Sequence, residues 1–196
     1  MPKDTFINLG EDKKRRIFDA AVKEFSTRRF SEASINQIVK SAGIPRGSFY
    51  QYFNDKEDIY LYMYEEILRE KRANYNDDPP MDLEADIFEL CIYTLKASLK
   101  WSRAKPEYSR ISILMELDDS EFIMKLWTNT VKVLKDLIER DKERGLIRPE
   151  IDSDLVVDLI YTLIIKENFG TLSDENLFMR KITEVMQIIK KGIATE

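Results

Sequence analysis

The chain has 196 residues, of which 43% are hydrophobic and 34% are charged, and its formal net charge is −5 at pH 7. This composition excludes a disordered chain, and no apolar run reaches the roughly 18 residues that cross a bilayer, so no membrane partner is expected. The first nine residues lack the apolar core of a signal peptide, which predicts a cytoplasmic protein. The single cysteine, Cys91, lies between Leu90 and Ile92 and is predicted to be buried rather than redox active.

The first predicted helix runs from Lys13 to Thr27. Its apolar residues recur at helical spacing, so one face of the helix should be buried. That face consists of Ile17, Ala21, Val22 and Phe25. The turn Arg28-Arg29-Phe30-Ser31 is expected to end the helix.

Residues 34–53, with the sequence SINQIVKSAGIPRGSFYQYF, predict two short helices joined by a tight turn. Ser34 and Gln37 have the spacing of a capping box, in which the hydroxyl and the amide satisfy backbone groups at a helix start. Gly43 can adopt the left-handed conformation that ends a helix, and Pro45 suits the start of the next one. Two short helices at such a turn are typical of a helix-turn-helix motif.

The second short helix carries groups that suit DNA. Phe49 and Phe53 are four residues apart and should point inward, which leaves the polar side chains on the remaining surface. Those side chains are Arg46, Ser48, Tyr50 and Gln51. The forked donors of Arg and Gln match base edges in the major groove, whereas hydroxyl groups suit phosphate oxygens. An ordinary surface helix with solvated polar side chains is the alternative interpretation.

A further helix is predicted from Lys56 to about Asn74, capped by Asn54 or Asp55. Residues 1–56 hold 11 Lys and Arg against 7 Asp and Glu, a balance of +4, whereas residues 57–196 have a balance of −9. This asymmetry would draw the amino-terminal part toward phosphate, although unselected surface charge explains it as well.

Two stretches, AAVKEF at 20–25 and SINQIVKSAGIPRGSFYQYFNDKEDIY at 34–60, resemble the TetR family of bacterial transcriptional repressors. The resemblance implies an amino-terminal three-helix DNA-binding domain at 1–56 and a helical effector-binding and dimerisation domain at 57–196. It also implies phosphate contacts at Ser34, Tyr50 and Lys56. The recognition-helix positions that it implies are Arg46, Gly47, Ser48, Gln51 and Tyr52, with Asn36 as an additional candidate base reader. Pro45 and Tyr52 depart from the family's usual cap and His, so the operator sequence does not follow.

The rest of the chain is predicted to be helical, which gives an all-α fold of about nine helices. Apart from Gly47, the glycines and prolines fall at or near the proposed boundaries, and no strand alternation or repeat is present. The additional helices are expected at about 83–103, 107–117, 120–144, 152–169 and 176–191.

The last two helices carry wide apolar stripes, which either form the core of the monomer or pair with a second copy. In the resembled family they pair as a four-helix dimer interface, and two half-sites on DNA require two recognition helices about one turn apart. A homodimer on a palindromic operator is therefore predicted. Its interface is expected to contain Leu155, Leu159, Ile160, Leu163, Phe178, Ile182, Val185, Met186 and Ile189.

The resemblance also implies a pocket for a small, mostly apolar effector whose binding releases DNA. Large apolar side chains lie in the central helices, where they either line such a pocket or simply pack. The candidates are Trp101, Tyr108, Met115, Trp127, Tyr161 and Phe169.

An enzyme is disfavoured because the chain contains no His, which removes the usual general base and the commonest metal ligand. No catalytic residue, cofactor or metal site is predicted. The favoured function is therefore a ligand-responsive transcriptional regulator, most often a repressor in this family. The alternative is a helical adaptor that binds a protein, rather than DNA, through residues 46–52.

Overall fold

The computed structural model describes residues 2–74, 82, 84–170 and 175–195, without the side chains at 74, 101–102, 163–170 and 175. Within these ranges the chain forms helices and one isolated bridge between Ile147 and Ala194, so the predicted all-α fold is confirmed. None of the described helices has the length and apolar character needed to cross a membrane.

Ten helices are described, one more than the sequence predicts. They are α1 (Asp4–Ile7), α2 (Glu11–Phe25), α3 (Ile35–Ala42), α4 (Arg46–Tyr52), α5 (Lys56–Asn74), α6 (Ile87–Ala104), α7 (Pro106–Glu116), α8 (Glu121–Glu143), α9 (Ser153–Gly170) and α10 (Glu175–Ile193). Helices α2 to α10 correspond to the predicted ones, with ends that differ by a few residues. Helix α1 was not predicted.

The chain forms two compact units, one of residues 1–77 and 101–125 and the other of residues 78–100 and 126–196. The predicted division at 56/57 concerns function rather than compactness and stays a prediction.

The core of the first unit is rich in aromatic rings. The ring of Tyr60 packs edge to face on Phe25 and Phe30, at centroid distances of 4.9 and 5.3 Å, and Phe122 from the start of α8 lies 4.5 Å from Phe30. The predicted buried face of α2 is confirmed, because Ile17, Ala21, Val22 and Phe25 are all buried. The amino-terminal helices and the start of α8 therefore share one core.

Helix α3 begins where predicted, but the predicted capping box is wrong. Ser34 precedes the helix and makes no capping bond through its side chain. Its N–H donates instead to the buried carboxylate of Glu24, at 2.9 Å. A carboxylate from α2 therefore replaces the amide of Gln37, which is exposed. The Ser34 hydroxyl is left available for another acceptor or donor.

The core of the second unit combines α6, α8, α9 and α10 around apolar side chains such as Phe88, Ile138 and Val157. Asp141 is fully buried in this unit and accepts the N–H of Ile87 at 2.7 Å, which caps the start of α6. The side chains of Arg140 and Arg144 balance its charge, at 2.9 and 3.3 Å. Cys91 is buried as predicted, and burial raises the pKa of its thiol to about 12.

The predicted dimer interface needs correction. Four of its side chains are buried within the monomer core and are not available to a second copy: Ile160, Phe178, Ile182 and Met186. Leu155 and Leu159, in contrast, are 57% and 43% exposed. The reason is helical spacing, because Leu155 and Leu159 are four residues apart on one side of α9. The residues that follow each of them, Val156 and Ile160, point into the core.

On α10, Val185 and Ile189 are half-buried, and Ile188, which the sequence analysis did not name, is 68% exposed. The side chain of Leu163 lies outside the described residues. Among the described side chains of these two helices, the exposed apolar surface is therefore narrower than the stripes in the sequence indicate.

Candidate nucleic-acid interface

The turn between α3 and α4 fixes the direction of α4. Gly43 ends α3 with a φ of 66°, in the left-handed region that glycine adopts without strain. The N–H of Ile44 donates to the carbonyl of Val39 at 3.1 Å, and the Ile44 side chain is buried. Pro45, with a φ of −62°, then starts α4, and Phe49 anchors the helix in the core.

The outer surface of α4 is polar, as predicted. Arg46, Gly47, Tyr50 and Gln51 are exposed and Ser48 is half-buried. A Cβ added at Gly47 would meet no atom within 4 Å, so this helix position does not need glycine for packing. The surface of α4 there is low enough to lie close against a ligand.

Arg46 is held by a partner on the neighbouring helix. Its Nη1 donates to Oδ1 of Asn36 at 2.7 Å, and both side chains are exposed. A guanidinium has five N–H donors, so the others remain for a ligand. An Asn side chain that reads adenine uses its oxygen and its nitrogen together. The side-chain oxygen of Asn36 already accepts from Arg46. This geometry favours Asn36 as a support for Arg46 over its predicted role as a base reader.

An open cleft of about 300 Å³ lies beside this pair. It is lined by Ala33, Ser34, Ile35, Asn36, Arg46 and Lys56. Two cationic side chains and a hydroxyl group face the same space, and the first N–H groups of α3 have no partner within the helix. Such a combination suits the oxygens of a phosphate group.

Lys56 reaches this cleft from the start of α5. Its Nζ donates to the carbonyls of Ala33 and Ser31, at 3.0 and 3.3 Å, and lies 4.6 Å from the ring centroid of Phe30. Burial lowers the pKa of Lys56, and the negative charges of Asp118 and Glu24 partly oppose that shift. Because an ammonium group has three donors, one remains for a ligand in the cleft.

Tyr50 and Tyr52 differ in a way that the sequence analysis missed. Tyr50 is exposed, with its ring edge on Phe49 at 5.2 Å. Tyr52 is only 5% exposed, because it lies three residues after Phe49 on the inner side of α4. Its ring packs 6.0 Å from Phe6 and 5.3 Å from Nζ of Lys13. The prediction that the Tyr52 side chain is offered to DNA is therefore wrong.

The predicted effector residues are divided between the two units. Tyr108 and Met115 are buried in the first unit, where the Tyr108 hydroxyl donates to Glu70 at 3.1 Å and burial raises its pKa. In the second unit Trp127 and Tyr161 pack edge to face at 5.2 Å. The side chains of Trp101 and Phe169 lie outside the described residues. The effector pocket therefore stays a prediction.

Two contacts to the amino-terminal helices had no predicted counterpart. Asp118, in the turn between α7 and α8, accepts the N–H and the hydroxyl of Ser31 at 2.7 and 3.0 Å. Lys3, just before α1, and Thr5, within α1, donate to the end of α4. In the sequence, the signal for the second contact is the large apolar residue Phe6.

Comparison with known proteins identifies the same region. Residues 17–63 match the family model described as bacterial regulatory proteins, tetR family. The HTH-type transcriptional regulator RutR of Escherichia coli (strain K12) is 27% identical over an alignment of 199 residues with gaps included. The alignment covers 92% of this chain and 90% of RutR. The match therefore extends well beyond the helix-turn-helix segment.

Solved structures of similar fold cover 92% or more of the chain. A TetR family transcriptional regulator from Chloroflexus aurantiacus J-10-FL superposes with a TM-score of 0.69 at 27% identity, covering 100% of both chains. The transcriptional regulator FadR from Bacillus subtilis, solved in complex with stearoyl-CoA, has a TM-score of 0.67 at 18% identity and covers 92% of this chain and 99% of its own. The second likeness concerns the fold.

Proposed function

Because this chain belongs to the TetR family of bacterial regulatory proteins, we propose that it is a repressor that binds a palindromic operator as a homodimer and is released by a small effector. The observation that carries this proposal is that the exposed Arg46 lies at the edge of the cleft that Ser34 and Lys56 also line. One of these features suits a base edge and the other suits a phosphate.

Binding would divide these tasks among the named side chains. Arg46, already oriented by Asn36, donates its remaining N–H groups to a base edge in the major groove, and Gln51 and Ser48 lie on the same helix. Ser34, Tyr50 and Lys56 contact phosphates and fix the register of α4 on the duplex. This action requires the compartment that holds the chromosome, so the cytoplasmic location remains part of the proposal.

Dimerisation is supported by the apolar side chains that α9 and α10 leave exposed. Leu155, Leu159 and Ile188 are large apolar side chains exposed to water in the monomer. Burial against a second copy would remove them from water. A two-fold dimer places two copies of α4 on half-sites about one DNA turn, roughly 34 Å, apart. The symmetry of the operator would then follow from the symmetry of the protein.

We propose a mostly apolar effector because the family fold accommodates one elsewhere: the FadR of similar fold was solved with stearoyl-CoA. Release of DNA needs only that the effector prefers a conformation in which the two recognition helices no longer match the half-sites. By linkage, operator DNA then weakens effector binding by the same factor. Titrating a long-chain acyl-CoA with and without operator tests this, and equal affinities would count against the mechanism.

Selection of duplexes from a random DNA pool tests the proposed function most broadly. The purified protein is expected to enrich a palindrome, which reports the site, its symmetry and its spacing together. Arg46→Ala should change the preferred base at one position of each half-site, whereas Lys56→Ala should weaken all sequences about equally. Lys132→Ala, an equal change of charge at an exposed position of α8, is the control. Failure of the wild type to enrich any sequence would contradict the proposal.

A further inference from the structure

We propose that Lys3, Thr5 and Phe6 act as positioning residues that hold the recognition helix α4 in its binding orientation. This inference rests on the proposed function, since it concerns the affinity for operator DNA. It assigns a role to α1 and the residue before it, which lie outside the segment that matches the family model, residues 17–63.

The need for such a support follows from the length of α4. The helix has seven residues, and isolated helices shorter than about 12 residues are marginal in water. The last four carbonyl groups of any helix have no partner within it. Immediately after α4, Phe53 is extended, with φ −131° and ψ 152°, so the chain does not continue into a turn that could satisfy them all.

The amino-terminal segment supplies the missing donors. The carbonyl of Phe49 accepts the N–H of Phe53 at 2.8 Å. The next three carbonyls accept from two residues of the amino-terminal segment: Nζ of Lys3 donates to Tyr50 at 2.9 Å, the hydroxyl of Thr5 donates to Gln51, and the N–H of Lys3 donates to Tyr52 at 2.9 Å. All four terminal carbonyls of α4 are therefore satisfied. The positive charge of Lys3 also suits the negative end of the helix dipole.

Phe6 fixes this segment to the core. Its side chain is 2% exposed, and its ring lies 4.8 Å from Phe53, just beyond α4, and 4.8 Å from Tyr62 on α5. The same ring is 6.0 Å from Tyr52. Phe6 thus contacts the end of α4 and the next helix at once, so the donors of Lys3 and Thr5 are held where the carbonyls need them.

Loss of these contacts should act on DNA binding through the population of the competent orientation. If α4 spends less time in that orientation, the apparent affinity falls by the same fraction. Thr5→Val keeps the shape of the side chain and removes one hydrogen bond, so we expect opening of α4 to increase about two- to tenfold and operator affinity to fall by up to that factor. Phe6→Ala removes the anchor of all three bonds and should cost more than about tenfold.

The experiment combines operator binding with hydrogen exchange of individual amides in the full-length protein. Thr5→Val should weaken binding and accelerate exchange in α4 by about two- to tenfold, while exchange in α5 and α7 stays at the wild-type rate. Thr5→Ser, which restores the hydroxyl, should restore both. Ile7→Ala is the matched control, because it shortens an exposed apolar side chain of the same short helix.

Wild-type affinity and wild-type α4 exchange in Thr5→Val and in a folded Phe6→Ala would overturn the inference. Equal acceleration in α5 and α7 would also overturn it, because the segment would then stabilise the whole unit rather than position α4. If the wild type binds no duplex, the proposed function fails, and the exchange of α4 amides in Thr5→Val still decides whether the segment holds the helix.

Discussion

Two neighbouring residues of α9 separate the core of the monomer from the proposed dimer interface. Leu159 is 43% exposed and Ile160 is fully buried. Truncating each to alanine removes a similar apolar side chain, but from different surroundings. We expect Ile160→Ala to reduce the stability of the folded chain and Leu159→Ala to weaken dimerisation.

The magnitudes follow from the exposure of each side chain. Ile160→Ala leaves a cavity in a packed core, which costs about 2–5 kcal/mol of unfolding free energy. Full burial of a leucine is worth about 1.5–3 kcal/mol, and Leu159 has 43% of its surface left to bury, or about 0.6–1.3 kcal/mol. A two-fold interface contains the residue twice, so the loss is about 1–2.5 kcal/mol per dimer. The dissociation constant should rise about 5- to 70-fold.

Sedimentation equilibrium over a range of concentrations measures the dissociation constant, and urea unfolding at a fixed high concentration measures stability. A dissociation constant unchanged by Leu159→Ala would refute the placement of the interface on the exposed side of α9. Wild-type stability of Ile160→Ala would refute the assignment of that residue to the core. A wild-type mass near 23.1 kDa at micromolar concentration would contradict the dimer itself.

Three further predictions concern the amino-terminal unit. Gly47→Ala should raise the unfolding free energy by about 0.5–1 kcal/mol, because glycine destabilises a helix relative to alanine and the added methyl meets no neighbour. The same change should weaken operator binding in a gel-shift titration. Unchanged affinity would place Gly47 away from DNA. Burial opposes the charge of Asp118, but hydrogen bonds from Ser120 and Ser31 outweigh burial and lower the pKa of this carboxyl group below 3.8. The stabilising effect of Asp118 is therefore present at neutral pH and is lost as the pH falls through the pKa of the folded state. Asp118→Ala should therefore cost about 1–3 kcal/mol in urea unfolding at pH 7 and less in acid, whereas a deficit independent of pH would be inconsistent with this. Asn36→Ala releases the guanidinium that it holds and should relax the base preference in selected DNA without changing the salt dependence; an unaltered preference would show that the bond has no role in recognition.

Most of the helices could be predicted because their signals are local. Helical spacing identifies the buried face of α2, Gly43 and Pro45 mark the turn between α3 and α4, and Asp55 caps α5 by accepting the N–H of Asp58 at 2.8 Å. Each of these effects acts between residues a few positions apart. The pattern of the sequence therefore suffices for them.

The errors arose where the deciding contact is distant in sequence. Glu24 replaces the local cap of Ser34 from ten residues away, and Lys3 reaches Tyr50 across 47 residues. A four-residue helix such as α1 has too little periodicity to be recognised, and its stability depends on packing of Phe6 against rings that are distant in sequence, such as Phe53 and Tyr62. Likewise, Ile160 and Leu159 lie in similar apolar stripes, and only the packed core distinguishes them.

The salt dependence of operator binding tests most directly whether α4 and the adjacent cleft bind DNA. A plot of the logarithm of the affinity against that of the salt concentration should fall steeply, with a slope of about −0.9 for each phosphate neutralised. Lys56→Ala removes one such contact from each protomer, so its slope should be shallower by about 2. A flat response of the wild type, or a slope that Lys56→Ala leaves unchanged, would contradict this account, and a flat response would favour a protein-binding adaptor.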